Sequence, residues 1–272
     1  MGHGCSCRSD RNKVLDTFRY DPTFASVVFA SASIAAATKQ LARYFEEERK
    51  SIPVKLIFYY VKVLETTAQY ERAIVLKFVQ LGDKGSAYLA RLLPFYVHIE
   101  ELHLWKAGLT GSGLNIVLET IVLLKRLKVL NLTDNHLRDD AVLSLTRTFS
   151  SLSELEALWL SANEITPSGV NVLATSLAAL SKLKSIGLSY NFLNASACRS
   201  LCAALQNRSH LSVLELAGNK LGADCVDVFT QLAMSNPPLK LDLTSNAFTQ
   251  EDCEALLRAY GQEVVALEAQ KR

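Results

Sequence analysis

The chain has 272 residues, 49% hydrophobic and 21% charged, with 29 basic against 27 acidic side chains for a net charge of +2. That length buries a sizeable core, and the apolar fraction excludes a disordered chain. The near-neutral balance lacks the concentrated basic footprint of a nucleic-acid binder, so no nucleic-acid partner is expected.

Taken in chain order, residues 1–19 form a polar tail with no charged-then-apolar secretory start. Gly2 after the initiator Met1, with Ser6 four residues on, matches the N-myristoylation pattern. One acyl chain holds a membrane only marginally, so a second signal is needed. Cys5 and Cys7 are placed to take palmitate, and Arg8, Arg11 and Lys13 favour anionic headgroups. The alternatives are an unmodified tail and a Cys-x-Cys pair with His3 on a stray metal. Residues 20–70 carry no repeat. Asp21-Pro22 predicts a helix start. The apolar run 24–38, about 15 residues and closed by Lys39 and Gln40, is too short to span a bilayer. Ser51-Ile52-Pro53 breaks the pattern before a second apolar stretch with Val54, Ile57, Phe58, Val61 and Leu64. These features predict a helical N-terminal cap over the repeats that follow, with a separate partner-binding module as the alternative.

From residue 71 to 272 the chain repeats. LKVLNLTDNHL at 127–137 is followed by LEALWLSANEI at 155–165, LKSIGLSYNFL at 183–193 and LSVLELAGNKL at 211–221. Asn135, Asn163, Asn191 and Asn219 recur every 28 residues, and Asn246 follows after 27. The repeats run 127–154, 155–182, 183–210 and 211–237, flanked by looser ones at 71–98, 99–126 and 238–272. Ala107 and Val79 take the asparagine position in the two opening repeats. The L-x-L centre alternates with period two, as in a short parallel strand with leucines inward. The following half, with Val170, Leu173, Leu177 and Leu180, has helical spacing. The asparagines Asn135, Asn163, Asn191, Asn219 and Asn246 predict an internal ladder in the turns after the strands.

The pattern L-x-x-L-x-L-x-x-N-x-L at about 28 residues resembles the ribonuclease-inhibitor class of leucine-rich repeats. That class also includes the Ran GTPase-activating protein, tropomodulin's C-terminal part and the sensor arms of intracellular immune receptors. The resemblance covers roughly 71–260, about 70% of the chain. It implies an α/β leucine-rich-repeat solenoid, a short open arc of parallel strands with outer helices.

No phosphate loop, nucleophile elbow, H-E-x-x-H or paired C-x-x-C is present. His3, His98, His103, His136 and His210 are scattered over different repeats, and Cys198 and Cys202, at i and i+4, fit core packing better than a metal pair. The six cysteines suit a reducing compartment. No catalytic residue, cofactor, metal or small-molecule substrate is expected.

The strand positions that alternate with the leucines form an inner face, on which Glu101, His103, Trp105, Asn131, Trp159, Tyr190, Glu215 and Asp242 are the expected protein-binding residues. Both tryptophans fall there, two repeats and about 10 Å apart, with His103 and Tyr190 expected beside them. Trp is enriched at binding hot spots, although Trp105 packing on the N-terminal helices and Trp159 on neighbouring strands is the alternative. The expected function is a non-catalytic adaptor gripping a protein on its concave face, at the cytoplasmic side of a membrane. The alternative is a GTPase activator, implied by the Ran activator resemblance, with Arg138 and Arg199 in or near turns after strands.

Overall fold

The computed structural model describes residues 72–78, 81–236, 239–260 and 265–267. Gly2, Cys5, Cys7 and the whole of 1–70 lie outside the described residues. Eight strands lie in one parallel sheet in sequence order. They are β1 (Ala73–Val75), β2 (Glu101–His103), β3 (Val129–Asn131), β4 (Ala157–Trp159), β5 (Ser185–Gly187), β6 (Val213–Glu215), β7 (Lys240–Asp242) and β8 (Val265–Ala266). Between them run α1 (Gly82–Leu92), α2 (Gly111–Ile121), α3 (Arg138–Thr146), α4 (Pro167–Ser176), α5 (Ala195–Leu205), α6 (Val226–Ser235) and α7 (Gln250–Tyr260).

The register follows the repeat. Leu102 faces Leu130, Leu130 faces Leu158, and Leu158 faces Ile186. At the short repeat Leu214 faces Leu241, and at the end Leu241 faces Val265. Strand β8 was not expected, because 265–267 lacks the L-x-L centre.

The central residues Leu102, Leu130, Leu158, Ile186, Leu214 and Leu241, and the next leucines Leu104, Leu132, Leu160, Leu188 and Leu216, are buried. Each such side chain contributes about 1.5–3 kcal/mol on leaving water. They meet the inner faces of the helices, where Val117, Leu145, Leu173, Leu201 and Phe229 are also fully buried. Helices are wider than strands, so the stack curves with strands on the concave side. The fold is an α/β leucine-rich-repeat solenoid, an open arc whose first and last strands do not meet.

The asparagines hold successive repeats together. Asn191 Nδ2 donates to Leu160 O at 3.1 Å in the previous repeat and to Leu188 O at 3.0 Å in its own. Its Oδ1 accepts from Asn163 N and Ile165 N, both at 3.0 Å. Asn135 does the same for Ala107 N and Leu109 N, so the ladder reaches back into the repeat that lacks an asparagine. Asn219 and Asn246 continue it. In each turn one residue takes a left-handed conformation, including Lys106, Asp134, Ala162, Tyr190 and Ser245. That geometry lets its N–H reach the next repeat, as in Ala162 N to Ser189 O at 2.8 Å and Tyr190 N to Ala217 O at 2.6 Å.

One repeat breaks the pattern. Helix entry is capped by Thr110, Thr166 and Asn194, each in extended conformation with its side chain accepting a backbone N–H. The equivalent residue between the first two is Arg138, which has no short oxygen to cap with and adopts φ 58°. Its N–H bonds Asn163 O at 3.0 Å, and Asn163 Oδ1 is left buried with no partner. Asp139 instead reaches the next repeat and accepts from Thr166 N at 2.8 Å. Gly169 makes room for it, since a Cβ there would sit 2.3 Å from Asp139 Oδ1.

Candidate functional site: the concave strand face

Because each central strand residue points into the core, the residues on either side point out across the concave surface. From β1 to β7 the outward pairs are Ala73 and Val75, Glu101 and His103, Val129 and Asn131, Ala157 and Trp159, Ser185 and Gly187, Val213 and Glu215, and Lys240 and Asp242.

The sequence-predicted residues fall into separate groups. At the N-terminal end His103 Nε2 lies 3.0 Å from Glu101 Oε2, while His103 Nδ1 is buried without a partner. Trp105 lies two residues beyond β2, level with Ser161 and not with Trp159, which pairs through Asn131 with His103. Its ring packs at a tilt against Phe78, centroids 4.8 Å apart at 51°, with Lys77 Nζ 5.8 Å from its centre. Phe78 is 59% exposed and Val75 43% exposed, so this end carries an apolar patch that sequence reasoning missed.

Trp159 leans the other way. A Cβ on Gly187 would sit 2.5 Å from Trp159 Cε3 and 3.2 Å from Ser161 Oγ. The ring therefore lies directly against the backbone of β5, a seat that only a glycine leaves open. The two tryptophans, expected as one grip, point toward opposite ends of the arc. Tyr190 does not flank either of them. It stands in the turn after β5 at φ 54°, 62% exposed, with its ring against Gly218. A Cβ at Gly218 would lie 2.3 Å from Tyr190 Cδ1, and the glycine is itself at φ +63°. Phe192, 49% exposed, stands two residues further along the same rim. The signal for both seats is a glycine one repeat length after an aromatic.

Asn131 and Asp242 share a second duty. Asn131 Oδ1 accepts from Thr133 N at 3.0 Å, and Asp242 Oδ1 accepts from Thr244 N at 3.0 Å and Thr244 Oγ1 at 2.8 Å. Glu215 is different. It pairs in register with Asp242, is half-buried, and has no cation or hydrogen-bond donor on its carboxylate among the described residues. Burial first, and the Asp242 charge second, push its carboxyl above the usual range.

Cys198 and Cys202 are buried with sulfurs 4.0 Å apart. Hydrogen bonding to Cys202 and burial raise the Cys198 thiol far above its ordinary value, the opposite of an activated thiolate. Among the described residues no group of three or more His, Cys, Asp or Glu is placed to hold a metal ion. In the same residues, no helix is long and apolar enough to cross a membrane. Arg138 Nε donates to Glu164 Oε2 at 2.9 Å and His136 Nδ1 meets Glu164 Oε1 at 2.8 Å. The His136 bond first, and the Arg138 bond second, hold the Glu164 carboxyl below its ordinary range.

A family model described as "Leucine Rich repeat" matches residues 126–145, which hold β3 and most of α3. No curated protein matches the sequence. Among solved structures, internalin C2 of Listeria monocytogenes is similar with a TM-score of 0.48 at 19% identity, over 94% of this chain and 96% of that one. Leiomodin-1 actin-binding site 2 is similar with a TM-score of 0.44 at 12% identity, over 53% of this chain and 86% of that one. Toll-like receptor 13 in complex with ssRNA13 gives 0.36 at 18% identity, over 58% of this chain and 26% of that one. Likenesses at this level say nothing about what this chain binds.

Proposed function

We propose that this protein is a non-catalytic adaptor that grips a protein partner on its concave strand face while an acylated N-terminus holds it at the cytoplasmic side of a membrane. The observation that carries the binding half is Trp159, a large half-buried aromatic fixed against Gly187 in the middle of a surface of small side chains. A ring already held in place loses little side-chain freedom when a partner covers it, which is the condition of a binding hot spot. Neighbouring Ala157 and Ser185 are small and partly exposed, so a partner can reach the ring.

The tether rests on the sequence alone: Gly2 and Ser6 for myristate, with Cys5 and Cys7 for palmitate. Two chains anchor where one does not, and confinement to a surface raises the effective concentration of a weak binding arc. The alternative is a GTPase activator with Arg138 or Arg199; Arg138 pairs with Glu164 at the surface and Arg199 is exposed on α5.

Trp159→Ala in a cell pull-down tests the binding half. The folded variant is expected to lose partners that the wild type keeps; an unchanged partner set overturns it. Labelling with an alkyne-tagged myristate tests the tether, and Gly2→Ala should abolish both label and membrane fractionation.

A further inference from the structure

Deepening the concave-face reading, on which it rests, we infer that the bound segment is an extended peptide with an arginine or lysine seated at Glu215 and Asp242, three residues from an apolar side chain that covers Trp159. The unpartnered sheet face is matched to this occupant by charge. Glu215 and Asp242 are register neighbours on β6 and β7, and neither makes an ion pair among the described residues. Lys240, the nearest cation on the same face, pairs in register with Val213, is exposed, and bridges to neither carboxylate. Elsewhere on the arc Glu101 lies against His103, Lys106 pairs with Asp134, and Glu164 pairs with His136 and Arg138. Glu215 is thus a half-buried carboxylate beside a second one, an arrangement that weakens the free protein and is relieved when a cation arrives.

Trp159, seated against Gly187, offers the apolar contact beside this charge. Trp159 on β4 and Glu215 on β6 are two strands apart, about 10 Å. A peptide crossing the strands in the polyproline-II form advances about 3.1 Å per residue with three residues per turn, so side chains three residues apart face the same side and cover that distance. The recognised pattern is therefore apolar-x-x-basic, or its reverse.

A random twelve-residue peptide library displayed on phage and selected on the full-length protein tests this, followed by fluorescence anisotropy with the enriched peptide. The expected peptides carry Arg or Lys three residues from a large apolar residue. Glu215→Gln, which keeps the shape of the side chain, is expected to weaken their binding about tenfold or more. Trp159→Ala should abolish it, and added salt should weaken it. Peptides that need Trp159 but lack a basic residue, or bind Glu215→Gln equally well, overturn this inference and leave the concave-face reading standing. No enrichment, or binding indifferent to Trp159→Ala, overturns both. Since Glu215→Gln removes a repulsion, its fold is checked by its melting temperature, expected at or above that of the wild type.

Discussion

Replacing Asn191 by Ala removes an acceptor from two buried N–H groups, those of Asn163 and Ile165. An unsatisfied buried donor costs about 1–3 kcal/mol, and a small cavity adds to it, so the variant should lose about 3–5 kcal/mol. Asn163→Ala removes a side chain whose Oδ1 accepts nothing. Only its donations to Leu132 O, Leu160 O and Ser161 O are lost. Leu132 O keeps the amide of Asn135 and Leu160 O keeps that of Asn191, so the loss should be about 1–2 kcal/mol. Urea unfolding gives the difference, about 2 kcal/mol. Amide exchange gives it locally, because Ile165 should exchange faster in Asn191→Ala and not in Asn163→Ala. Equal destabilisation by the two changes refutes the asymmetry of the ladder.

Other substitutions probe the same geometry. Arg138→Thr restores the cap found at Thr110 and Thr166 and should stabilise the protein by about 0.5–2 kcal/mol in urea unfolding; no gain means the turn is held open by something other than the missing cap. Gly218→Ala meets both a φ of +63° and the Tyr190 ring, and should cost about 1–3 kcal/mol in thermal unfolding. Gly187→Ala, with no such backbone conflict, should mainly displace Trp159 and change its fluorescence. Glu215 titrates higher folded than unfolded, so the folded state holds the extra proton and stability falls as pH rises through the window above the ordinary carboxylate value. Glu215→Gln should therefore stabilise at neutral pH and lose that advantage as pH drops below about 4. A gain independent of pH contradicts burial and the Asp242 charge as its cause.

Much of the fold is legible because each repeat states it again: one leucine pattern every 28 residues, with inward and outward positions fixed by strand alternation. The charge ladder agrees, with Arg72, Glu100 and Lys128 in contact and Glu156 with Lys184, signs alternating at the same spacing. What depends on a neighbouring repeat is harder to see. Trp105 and Trp159 share a face by pattern, yet their directions are set by Phe78 and Gly187, each about one repeat away. The irregular turn had a signal, since Arg138 stands where capping residues stand elsewhere. Its consequence for Asn163 needed the geometry. Strand β8 had none, for Val265 and Ala266 pair with β7 but lie outside the leucine pattern.

Partner binding on the concave face is tested most directly by photo-crosslinking in cells, with benzoylphenylalanine placed at Val129, Ser185 or Val213 on the strands and at Leu143 or Ala203 on exposed positions of the outer helices. Protein adducts from the three strand positions, and none from the two helical ones, are the predicted result. Adducts from the helices with silent strands would contradict it.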